Sequence, residues 1–130
     1  MDAEDAVEAS AYEALNVPAL TSLAGVYQHV PQDTAPPVVI IGDMDSDADF
    51  SDKDGLDERI TLTVTAVVTA EQRKPLRAIK KVVKQLLHER TESRGGWTLQ
   101  FTFLNADGVL LNAEDYVGNF RFSVLALSEA

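Results

Sequence analysis

The sequence predicts an α+β domain: a mainly antiparallel sheet covered on one face by two helices, with a long acidic loop between strands. Three observations predict it. Ile60, Leu62, Val64, Ala66 and Val68 alternate with Thr61, Thr63, Thr65 and Thr69, the period of a half-buried strand. Leu76, Ile79, Val83, Leu86 and Leu87 instead recur at helical spacing, with Val82 at the margin, so a helix is available to cover that strand's apolar side. Trp97, Leu99, Phe101 and Phe103, then Phe120, Phe122 and Val124, repeat the strand period near the C-terminus, as expected of an antiparallel meander.

Taken in order, the first helix is expected over Asp2 to Asn16. Asp2 is suited to the N-cap, and Glu4, Asp5 and Glu8 place negative charge at the positive end of the helix dipole. Val7, Ala11, Ala14 and Leu15 give it a narrow, small-residued apolar stripe. Pro18 opens a short turn over Ala19 to Ala24, ended by Gly25, and Val26 to Val30 reads as a short strand. Pro36-Pro37 forces an extended approach to Val38-Val39-Ile40-Ile41, a strand apolar on both faces that Gly42 is expected to end.

The acidic loop then runs from Asp43, with acids at 43, 45, 47, 49, 52 and 54 and a lone aromatic, Phe50. The loop is long enough to suggest a role in contacts, with Phe50 the residue expected to be buried in a partner. Asp43, Asp45 and Asp47 have the alternate-carboxylate spacing of a calcium loop, which makes a small calcium-binding interaction module one alternative. The match stops there, because Ala48 stands where the loop needs glycine and Asp54 where it needs a bidentate glutamate. After the Arg59 to Thr69 strand, Pro75 begins the second helix, read as Leu76 to Arg90, with Arg77, Lys80, Lys81 and Lys84 opposite its apolar face. Gly95-Gly96 breaks the chain, Asp107-Gly108 is a hairpin signal returning through Val109 to Leu111, and Tyr116 to Leu127 is the final strand.

At 130 residues the chain is expected to form one domain, 1–130. It has no cysteine and hence no disulfide framework, and its longest apolar runs span only a few residues, so no membrane partner is expected. The net charge of −10 is unevenly spread: residues 1–58 hold fourteen acids and one base, a local −13, while residues 71–94 hold eight bases and three acids, a local +5. An acidic total argues against general affinity for nucleic acid, and the basic helix face lacks interleaved aromatics.

Catalytic, cofactor-binding and metal sites are all read as none. The serines lack G-x-S-x-G or S-x-x-K context, neither a P-loop nor a dinucleotide fingerprint is present, and His29 and His88 stand apart without cysteines or an HExxH pattern.

A series of landmarks does carry a family resemblance. Leu20-Thr-Ser-Leu-Ala-Gly-Val-Tyr-Gln-His-Val-Pro-Gln is followed by Pro37-Val-Val-Ile-Ile-Gly, the Asp-rich loop, Glu58-Arg-Ile-Thr-Leu-Thr-Val, Gln85-Leu-Leu-His and Gly118-Asn-Phe-Arg-Phe-Ser-Val-Leu. From about residue 9 to 127 the chain resembles the tail-terminator, or tail-completion, proteins of long-tailed bacteriophages and gene transfer agents. The resemblance implies a virion protein, assembled in the bacterial host cytoplasm, that forms a ring, expected to be a hexamer, at the head-proximal end of the tail tube. Its implied partners are copies of itself, the tail-tube protein and the head connector or stopper, and genomic DNA would pass through the channel without specific binding. The alternative within phage assembly is a head-completion or neck protein. The Asp43 to Asp57 excess of aspartates departs from the family pattern.

Overall fold

Alternation decides which side chains of the central strand are inside. In β3 (Glu58–Thr69), Ile60, Leu62, Val64, Ala66 and Val68 are all buried, while the threonines between them stay partly or fully open. The computed structural model describes residues 1–47, 57–71, 73–110 and 114–129. Its other elements are α1 (Ala3–Leu15), α2 (Pro18–Thr21), β1 (Gly25–Tyr27), β2 (Val38–Asp47), α3 (Lys74–Leu87), β4 (Thr91–Arg94), β5 (Trp97–Leu110) and β6 (Asp115–Ser128). They form a mixed α+β fold with one six-stranded sheet in the order β1-β2-β3-β6-β5-β4; β1 pairs with β2 in parallel and all other neighbours are antiparallel.

One core joins the layers. Val7, Ala11 and Leu15 of α1 and Ile79, Val83 and Leu87 of α3 share it with β3 and with Leu99, Phe101, Phe120, Phe122 and Val124 of β5 and β6. The small residues of α1 have the expected consequence: Ala3, Ala6 and Ala11 are fully buried, so that helix lies close against its neighbours. Its start is fixed by Asp2, whose Oδ1 accepts from the Asp5 N–H at 2.8 Å. Asp2→Ala should therefore cost about 1 kcal/mol of stability in urea unfolding, with α1 the first element to lose hydrogen-exchange protection.

Several boundaries differ from the sequence reading. Gly42 does not end the strand: β2 continues to Asp47, with a register shift between Ile41 and Met44, so the chain absorbs the glycine as a bulge. Asp43, Asp45 and Asp47 thus belong to a strand, and the rest of the acidic stretch, Phe50 included, lies outside the described residues. The strand expected at Val26 to Val30 is the shorter β1, and the second helix stops at Leu87 rather than Arg90. Chain reversal then produces β4, which the sequence did not announce. It pairs with β5 across Gly95 and Gly96, whose φ values of 59° and 87° are those of a tight two-residue hairpin.

Asp107-Gly108 is not a turn. Both residues lie within β5, paired with Asn119 and Gly118, and the strand continues to Leu110. Gly108 is required for a different reason: a Cβ there would come within 2.6 Å of the Tyr116 hydroxyl, because the Tyr116 ring lies across the glycine. Arg73 sits over the other part of that arrangement, its guanidinium 4.4 Å from the Tyr116 ring centre.

Candidate interaction surface

α3 departs from what an isolated helix needs. Pro75 sits at its start, yet Arg73 at the N-cap makes no side-chain cap, and the first turn holds no acid. Lys74 and Arg77 instead put positive charge at the end of the helix where the dipole favours negative charge. Farther along, Arg77, Lys80, Lys81 and Lys84 are exposed at three- and four-residue spacings, with no acidic residue anywhere in the helix. Like charges so spaced destabilise a helix by about 0.2–0.5 kcal/mol per pair. Among the described residues none of these four cations forms an ion pair; Lys84 Nζ rests over the Phe103 ring at 4.5 Å.

Beside this face lies an open cleft of about 240 Å³, lined by Leu76, Arg77, Lys80, Tyr116 and Phe120 with Gly108 at its edge. Gly118 lets the helix start approach β6, since a Cβ there would meet Leu76 Cδ1 at 2.8 Å. Its lining thus combines apolar side chains with two cations and the carboxylate of Asp107.

The acidic counterpart is on β2. β1 pairs only with Val38, Val39 and Ile40, so among the described residues no strand borders β2 on that side from Ile41 onward. Asp43 and Asp45 are exposed along this edge, and Glu4 at the start of α1 is beside it, accepting from Ser46 Oγ at 3.1 Å. Residues 1–47 contain nine Asp and Glu and no Lys or Arg. Of the stretch with calcium-loop spacing, Asp43, Asp45 and Asp47 lie on β2, and the positions from Ala48 to Asp54 lie outside the described residues. Among the described residues no group of three His, Asp or Glu side chains is disposed to hold a metal.

Two polar networks brace the surface. Between α1 and β4, the buried Ser10 hydroxyl donates to Glu92, Arg90 donates to Glu92 at 3.0 Å, and Arg94 bridges Glu92 at 2.8 Å and Glu13. Burial alone pushes the Glu92 carboxyl upward, but the hydrogen bonds from Ser10, Arg94 and Arg90 together outweigh it and hold the carboxyl below its ordinary range. On the face of the sheet away from the core, Thr65 donates to Asn119 at 3.0 Å, Asn119 donates to Asp107 at 3.1 Å, and Arg121 pairs with Asp107 at 2.9 Å. Asn119, then Arg121, lowers the Asp107 carboxyl. The Asp107-Gly108 turn signal conceals this row, because it places Asp107 outside the sheet. His88 is exposed and accepts the Phe103 N–H at Nδ1, 3.0 Å away; His29 takes no part in either network.

Comparison with known proteins decides the family. The model of the tail completion protein gp17 family matches residues 11–126. The chain belongs to that family. A chain from a structure titled "Virion of native gene transfer agent (GTA) particle" superposes with a TM-score of 0.85 at 23% identity, covering 95% of this chain and 96% of the other. That virion chain therefore shares the fold described above. A search of curated proteins finds no match. The family is one of structural virion proteins, so this tail-completion chain is a phage-type tail component. No helix among the described residues is long and apolar enough to cross a membrane.

Proposed function

We propose that this chain is the terminator of a phage or phage-like tail: one domain, 1–130, whose copies close into a ring, expected to be a hexamer, at the head-proximal end of the tail tube. The ring ends tube polymerisation and offers its other side to the head connector or stopper. It acts by shape and charge fit, without covalent chemistry, and assembles in the host cytoplasm before joining the virion. Genomic DNA would pass its channel unbound, in keeping with a net charge of −10.

The observation that carries this reading is the tail-completion family match over residues 11–126. The surface is consistent with it, because a heterologous contact between unlike patches closes into a ring when its rotation closes.

Electron microscopy of particles made without this gene tests the proposal. Tails of uncontrolled length, or tails without heads, are the expected result. Filled heads that lose their DNA while tails keep their normal length would move the assignment to a neck or head-completion protein.

A further inference from the structure

We propose that the cationic face of α3 receives the acidic β2 edge of the next copy, so that Arg77, Lys80, Lys81 and Lys84 of one subunit oppose Asp43 and Asp45 of its neighbour. This contact rests on the ring reading above and assigns the residues that join its subunits.

Two surfaces argue for each other. α3 concentrates exposed cations at helical-neighbour spacing with no acid to relieve them, and they surround an open hollow of about 410 Å³. β2 offers exposed carboxylates along a sheet edge that no described strand covers, with Glu4 of α1 beside it. Neither surface can satisfy the other within one chain. Asp45 pairs in register with Thr61 on the face of the sheet away from the core, while α3 contributes to the core on the opposite side, and no described ion pair joins them.

A second copy brings both together at once, and every subunit of a closed ring then has each patch covered by one repeated contact. Leu76 and Tyr116 are half-buried in the cleft beside the cations, so the same contact removes further apolar surface from water. The rival occupant, a nucleic-acid backbone, would have to approach a chain carrying −10 overall. Charge complementarity of this kind sets orientation and encounter rate as well as affinity, so assembly should weaken as salt rises.

The absence of cysteine makes the contact directly testable. In the full chain carrying both Lys80→Cys and Asp45→Cys, a short bismaleimide should give a ladder of covalent oligomers ending at the closed ring. Either single variant should give no ladder. Independently, K80E/K81E and D43K/D45K should each lose self-association in sedimentation velocity while keeping the wild-type circular dichroism. Mixed in equal amounts they should regain it, because acidic helix then meets basic edge and basic helix meets acidic edge in alternation.

Variants that assemble like wild type would overturn this contact and leave the ring standing. A folded mixture that stays monomeric would overturn it too, as would K80E/K81E that keeps assembling while losing binding to duplex DNA. A wild-type chain that remains monomeric with and without tail-tube protein would remove both the contact and the ring.

Discussion

Phe122→Ala should lower the unfolding free energy by about 3–5 kcal/mol. Phe122 is fully buried at the centre of the sheet, in register with Leu62 of β3 on one side and Phe103 of β5 on the other. Its ring meets that of Phe103 edge to face, with centres 5.5 Å apart at 73°, so truncation removes an aromatic pair as well as buried area. Strands on both sides limit how far the backbone can relax to fill the space. Phe122→Leu, which keeps most of the volume, should lose only about 1–2 kcal/mol. Urea unfolding should show both losses as a lower midpoint at unchanged slope; a loss under 1 kcal/mol for the alanine variant would mean that the core is not organised around this position.

The second large effect is expected at Glu92. Its side chain is only 19% exposed and gathers the buried Ser10 together with Arg90 and Arg94, fastening α1 to β4. Removing the carboxylate takes the acceptor from the buried Ser10 hydroxyl and from Arg90, and leaves Arg94 with Glu13 alone, so Glu92→Ala should cost about 2–3 kcal/mol.

The pH dependence has a definite sign. Because the folded-state pKa of Glu92 is depressed, its contribution is present above the unfolded-state value and is lost as the pH falls through the folded-state value. Asp107 and Glu129 are lowered as well, the latter by Ser93 and then Thr98, so stability should decline through the acid carboxylate range. Glu92→Gln should make that decline shallower than in the wild type. If unfolding midpoints measured from neutral to acid pH run parallel for the two proteins, the clamp does not titrate as described.

The sequence made the long strands and α3 legible because in those elements one physical signal dominates. β3 and β6 alternate cleanly, and Ile79, Val83 and Leu87 mark the buried stripe of α3. β4 was hidden for the converse reason: Thr91-Glu-Ser-Arg94 has no apolar residue, and Glu92 and Arg94 are sheltered by polar contacts with Ser10 and Glu13, more than 75 positions away in the chain.

Glycines misled in both directions. By sequence Gly42 signals a stop, yet it forms a bulge; Gly108 signals a turn, yet it makes room for Tyr116. On the candidate surface, the cations of α3 could be placed from periodicity alone. That Asp43 and Asp45 lie on a strand edge could not, since it depends on β1 stopping three residues into its pairing with β2.

That short pairing bears on how many identical chains can be crowded at one place without sticking indiscriminately. From Ile41 onward no described strand pairs with the outer edge of β2, and an extended segment added to such an edge could seed open-ended fibres. Asp43 and Asp45 make that border a poor host for its own duplicate, because two such borders zipped together would press carboxylate against carboxylate. A cationic helix suffers no such repulsion, so the same few residues that forbid one mode of addition leave another open.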